Sequence, residues 1–137
     1  MVKATVSRDI NFGADKVWAV LADFGNLSWV EGPEKVEVIG EGMGQIRRLF
    51  IPGMDPFDEV LEAIAHSPKT LGYSIPKNAV IPFDNYHATV VVSGDEASSH
   101  IDWSCELDNG AVPAADAQAM MEGNYTMLLD ALEKTLG

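Results

Sequence analysis

AADAQAMMEGNYTMLLDALEKTLG, residues 114–137, is the longest stretch of the chain with one periodicity. Ala117, Met120, Met121, Tyr125, Leu128, Leu129, Leu132 and Leu136 recur at helical spacing and make a single apolar stripe. The spacing predicts a long terminal helix from about Ala114 onward. Almost everything before it reads as strands joined by turns too short for a crossover, which implies antiparallel pairing. An antiparallel sheet must cover one face, and this helix is the only element long enough to do so.

Working outward from the helix, alternation at period two marks His100 to Leu107, Tyr86 to Val92, Leu71 to Ile75 and Phe57 to Ala65 as strands. Gln45 to Ile51, Val36 to Ile39 and the N-terminal run Val2, Ala4, Val6, Ile10 complete the set, and only Arg8 breaks the alternation of the last. Between Gly13 and Phe24 the period changes to the helical one, with Val17, Trp18, Val20 and Leu21 on one side. Leu27 to Val30 is expected to form a second short helical turn before Gly32-Pro33. The fold class is therefore α+β, with two short helices after the first strand and a curved antiparallel sheet of about seven strands around the terminal helix. Residues 1–137 are read as one domain, since 47 % of the chain is hydrophobic and its length suits a single core.

Strand parity assigns faces. Ile101, Trp103, Cys105 and Leu107 point toward the helix, as do Tyr86, Ala88, Val90 and Val92, and Leu71, Tyr73 and Ile75. The best inward set of Phe57 to Ala65 is Phe57, Leu61 and Ala63, and parity carries Glu59 inward with them. An inward carboxylate needs a partner, because desolvating an isolated one costs several kcal/mol. Arg47 or Arg48 on the preceding strand can supply it, and alternation does not choose between them. On the terminal helix Asn124 interrupts the apolar stripe beside Gly123, either exposed at the stripe's margin or buried, and a buried Asn must bond a protein group, a water or a ligand. Met120 and Met121 suit an adaptable lining as well as plain core.

Several functions are excluded by composition. Asp and Glu number 21 against 9 Lys and Arg, a formal net charge of −12 that opposes nucleic acid and anionic membrane surfaces. No membrane insertion is expected, and the alternating N-terminus does not resemble a signal peptide. Cys105 is the only cysteine, which rules out an intramolecular disulfide and suits a cytoplasmic setting. His66, His87 and His100 are scattered, so neither a metal nor a cofactor is expected. Gly40-Glu41-Gly42-Met43-Gly44 lies between strands and reads as a hairpin turn, not a phosphate cradle.

Taken in order, Asp15-Lys16-Val17-Trp18-Ala19-Val20-Leu21-Ala22-Asp23-Phe24, Trp29, Gly44-Gln45-Ile46-Arg47-Arg48-Leu49, Asp58-Glu59-Val60-Leu61-Glu62, Leu71-Gly72-Tyr73-Ser74-Ile75, Asn85-Tyr86-His87-Ala88-Thr89-Val90 and Trp103 resemble the START-like superfamily. This group, also called SRPBCC or polyketide cyclase/dehydrase-like, has a helix-grip fold, and the chain looks like a small stand-alone member over almost its whole length. The plant abscisic acid receptors on this fold have a similar Gly-x-x-Arg strand, then a gate loop, a Glu-x-Leu strand and an Asn-Tyr strand. That resemblance implies Arg47 as the inward arginine, Glu59 and Tyr86 as polar pocket residues, and Pro52 to Pro56 as a loop over the pocket mouth. It likens Trp103 to a position where those receptors have an acid, so the hormone specificity does not carry over.

What the resemblance implies is a cavity for a lipid, sterol, polyketide or aromatic molecule, and in some members an aldol-type cyclisation or dehydration. In a binding module, Arg47, Glu59, Tyr86 and Asn124 would orient one polar group while Trp29, Phe57, Tyr73, Trp103, Met120 and Leu128 enclose the rest. In a cyclase or dehydrase, Glu59 would remove a proton alpha to a carbonyl while Arg47 and Tyr86 stabilise the enolate. A close cation favours the carboxylate form and works against that basicity. A third reading is a packed domain that meets a basic partner through its acidic surface. The partner expected first is a hydrophobic small molecule, with monomer and homodimer both left open.

Overall fold

The structure, a computed structural model, describes residues 1–137. Its elements are β1 (Val2–Ile10), α1 (Ala14–Ala22), β2 (Lys35–Ile39), β3 (Ile46–Phe50), β4 (Phe57–His66), β5 (Lys69–Ile75), β6 (Asp84–Gly94), β7 (Ser99–Asp108) and α2 (Ala114–Leu136). The seven strands form one sheet in the order β1-β7-β6-β5-β4-β3-β2. Every neighbouring pair is antiparallel. Short links between β2 and β7 dictate the meander, and β1 closes on β7 with Val2 opposite Leu107 and Ile10 opposite Ser99.

Helix α2 lies across the concave face and buries Ala117, Met121, Tyr125, Leu129, Leu132 and Leu136. Leu128 is only half-buried, and Met120 is 51 % exposed. At roughly 3.6 residues per turn Met120 lies well round the cylinder from the centre of that buried line, so the predicted stripe was too wide. The break at Arg8 is functional in packing: its Nη1 donates to Asp130 at 2.6 Å and to Glu133 at 3.0 Å, tying α2 to β1. At the same end of the strands, α1 is held by Ala14 N–H donating to the Asp95 carbonyl. Gly13 precedes it because a Cβ there would stand 2.4 Å from the Glu96 carbonyl oxygen.

Two expectations about local structure are corrected. Leu27 to Val30 is a single turn closed by Val30 N–H to the Leu27 carbonyl, not a second helix. The Asn26 side chain takes the Ser28 N–H, and Gly32 and Pro33 stop any propagation. In β4 the register shifts between Leu61 and Ala63. This bulge turns Ala63 outward and exposed while Ile64 packs on the core.

On the outer face of the β1–β7 pair, His100 Nδ1 bonds Asp9 at 2.7 Å and Nε2 bonds Asp102 at 3.0 Å. Hydrogen bonding to Asp9, then to Asp102, raises the His100 pKa. A folded-state pKa above the unfolded one gives stability that is fully present below about pH 6.5 and fades as pH rises through the folded value. Melting temperatures of wild type and His100→Gln from about pH 5.5 to 8.5 are therefore expected to converge with rising pH. A constant gap would mean that the imidazolium contributes nothing.

Candidate functional site

Between the sheet and α2 the side chains do not fill the space, and a cavity of about 270 Å³ remains. Its floor comes from β3, β4, β5 and β7, one wall from α1 and the segment after it, and the other from α2. Trp29, Arg47, Phe57, Glu59, Tyr73, Trp103, Asn124 and Leu128 all line it, and of these Phe57, Glu59, Tyr73 and Trp103 are the ones that strand parity placed inward. Two proposed residues do not. Met120 is on the exposed flank of α2. Tyr86 is buried behind the lining, its hydroxyl hydrogen-bonded to that of Tyr125.

The polar centre is a cross-strand pair. Register places Arg47 opposite Glu59 and Arg48 opposite Asp58, so two ion pairs occupy opposite faces of the same two strands. Arg47 Nε donates to Glu59 Oε1 at 2.7 Å, with side-chain exposures of 8 % and 12 %. Arg48 binds Asp58 bidentately on the outer face, at 2.7 and 3.1 Å. The inward arginine is thus Arg47. Its Nη1 also donates to the Phe24 carbonyl at 3.0 Å. Its guanidinium carbon lies 4.0 Å from the Phe24 ring centroid and 5.0 Å from that of Tyr73. Cation–π contact and charge-assisted bonding together hold the buried cation in one place.

Behind the pair is a layer of hydroxyls in an aromatic setting. Trp103 Nε1 donates to the Tyr73 hydroxyl at 3.3 Å, and Trp103 stacks on Tyr125 with centroids 5.6 Å apart. Burial raises the pKa of Tyr73, with the Glu59 charge adding to it, and burial likewise raises those of Tyr86 and Tyr125. All three are neutral phenols at physiological pH, hydrogen-bonding groups rather than bases. Burial also pushes the Cys105 thiol up, which fits a core thiol and not a nucleophile.

The mouth differs from the expected one. Residues 52–56 do not contribute to the lining, whereas Asn26, Leu27, Val30, Glu31, Gly32 and Pro33 do. The covering segment is therefore 26–33, packed through Leu27 against Leu49 and Phe57 and closed on itself by Trp29 Nε1 donating to the Asn26 carbonyl. Asp23, Met127 and Asn124 share the rim, and Asn124 is exposed rather than buried in the stripe. Sequence reasoning missed Asp23, Leu27 and Glu31 because they lie in irregular backbone, where no period assigns a face. Asn26 and Trp29, at the start of an apparent helical turn, were the available signal. No helix of the chain is long and apolar enough to cross a membrane.

Residues 1–137 match the family described as polyketide cyclase / dehydrase and lipid transport. No curated protein sequence matches the chain. Among solved structures, XoxI from Bacillus cereus is 27 % identical, with a TM-score of 0.87 over 99 % of this chain and 96 % of that one. A protein from Bacillus thuringiensis is 26 % identical, with a TM-score of 0.86 over 98 % of both chains. Norcoclaurine synthase from Thalictrum flavum, solved with dopamine and hydroxybenzaldehyde, is 20 % identical, with a TM-score of 0.73 over 98 % of this chain and 87 % of that one. At that identity the likeness is one of fold.

Proposed function

The chain belongs to the polyketide cyclase/dehydrase and lipid transport family, and from that premise we propose that it is a binding module for a compact hydrophobic or amphipathic molecule. The observation that carries this reading is a cavity with mainly apolar walls and one buried ion pair inside it. Few convergent polar groups in an apolar enclosure are the usual make-up of small-molecule sites, and about 270 Å³ lies just below their roughly 300–1,000 Å³ range. The volume favours a one- or two-ring aromatic over a sterol or a long acyl chain. A lone, buried thiol suits residence in a reducing cytoplasm.

Binding is favoured over catalysis by the way the polar residues are already occupied. Glu59 is paired with Arg47, Arg47 is further bonded to the Phe24 carbonyl, and the phenols are neutral, so no free acid and base face one another. Only one oxygen of Glu59 is taken by a protein group, and this keeps a cyclase or dehydrase role as the second reading. The unfilled interior supports ligand binding over a packed domain acting through its surface alone.

A thermal-shift series of naphthols, fatty acids and sterols tests the proposal, because a ligand at 100 times its Kd stabilises by about 2.7 kcal/mol. Naphthols are expected to raise the melting temperature of wild type, sterols to leave it unchanged, and Leu128→Trp, which fills the lining, to abolish the shift. Absence of any shift would sink the cavity reading. Once a bound compound undergoes turnover, Glu59→Gln separates the readings: lost turnover with retained affinity marks an enzyme, and altered affinity alone marks a carrier.

A further inference from the structure

Within the cavity proposed above as a ligand site, the charges are one-sided. Asp23, Glu31 and Glu59 line it, and Arg47 is the only basic residue that does. Arg47 is spoken for by Glu59 Oε1 and the Phe24 carbonyl. Lys134 approaches Glu31 at 3.6 Å with the two side chains 81 % and 93 % exposed, so water weakens both charges alike, and with Lys134 counted the rim still has the two carboxylates of Asp23 and Glu31 against one ammonium. The rim therefore keeps a negative field, and the formal charge of −12 on the whole chain reinforces it. The inner wall is aromatic, formed by Phe57, Tyr73 and Trp103, with Trp29 in the covering segment. Aromatic faces and carboxylates both attract a cation, and both oppose an anion placed beside them.

We infer that the cavity takes a compact aromatic molecule bearing a protonated amine, its ring on Phe57, Tyr73 and Trp103 and its ammonium at the rim between Asp23 and Glu31. A fatty acid or aryl carboxylate of the same size meets the same apolar wall but brings its charge to the wrong field. This inference rests on the ligand-binding reading and adds the sign of the ligand's charge to it.

The test is a matched trio, phenethylamine, phenethyl alcohol and phenylpropionate, titrated into the whole protein at low ionic strength and followed by amide chemical shifts. The amine is expected to bind roughly fivefold tighter than the alcohol, with the acid weakest, and the preference is expected to shrink as salt is raised. In Asp23→Asn/Glu31→Gln, at exposed positions, amine and alcohol are expected to reach near parity. Glu41→Gln, which changes charge on the β2–β3 turn away from the lining, is expected to keep the preference. Binding of all three with the alcohol or acid equal to the amine overturns the charge assignment and leaves the cavity reading standing. Preference unchanged in the rim variant also overturns it. Failure of all three to perturb cavity residues overturns the binding reading itself, and this inference with it.

Discussion

Arg47→Met is expected to lower stability by about 3–5 kcal/mol, a fall in melting temperature on the order of 10 °C for a chain of this size. The cost does not come mainly from the attraction that is lost. Glu59 Oε1 accepts its only hydrogen bond from Arg47 Nε, and the Glu59 side chain is 12 % exposed, so the variant leaves a carboxylate among Phe57, Tyr73 and Trp103 without its cation. The Phe24 carbonyl loses a donor in the same stroke. Removing both charges in Arg47→Met/Glu59→Met is expected to recover most of the loss, because a well-packed apolar pair is often no worse than a buried ion pair. The residual deficit should be that of the Phe24 carbonyl, about 1 kcal/mol. Chemical denaturation of the four proteins in the cycle measures the coupling directly. A cost for Arg47→Met below about 1 kcal/mol would show that water entering the cavity solvates Glu59, and the pair would then be a surface feature in energetic terms.

The same pair shows where the sequence was readable. Alternation carried Glu59 inward because Phe57 and Leu61 flank it at spacing two, and both are buried. Alternation was silent on Arg47 against Arg48 because each has an acid directly across the ladder, Glu59 or Asp58, and the pattern is symmetric to exchange of faces. Register breaks the symmetry, and register is a property of two strands together. Ala63 was misplaced for a related reason: one inserted residue in β4 reverses every later face, and the small side chains of Ala63 and Ala65 give no apolar signal to reveal it. The grip helix and the antiparallel sheet were legible because long amphipathic periods and short links leave few topologies, whereas the closing of β1 on β7 follows from no short link. The cover over the cavity was not, since residues 26–33 are placed by individual bonds such as Trp29 Nε1 to the Asn26 carbonyl rather than by a repeating pattern.

Tyr125→Ala is expected to cost about 3–5 kcal/mol, the range for truncating a large core aromatic. Tyr125 is fully buried, stacks on Trp103 and shares a hydrogen bond with the Tyr86 hydroxyl. The conservative series separates these contributions. Tyr125→Phe keeps the stack and orphans Tyr86, which should cost about 1–3 kcal/mol. Tyr86→Phe/Tyr125→Phe removes both hydroxyls and is expected to cost less than Tyr125→Phe alone, since neither member of the pair is left as an orphan and the Tyr73 hydroxyl keeps Trp103 Nε1 as its donor. The double variant also decides what Tyr86 does. A pocket residue that orients a ligand or stabilises an enolate would take affinity or turnover with it when its hydroxyl goes. A hydroxyl that only satisfies its neighbour behind the lining would not, and the geometry predicts retained binding of any compound that stabilises wild type. Loss of that binding in a normally stable Tyr86→Phe/Tyr125→Phe protein would return Tyr86 to the site, reached through Tyr73, whose ring centroid stands 6.3 Å from its own.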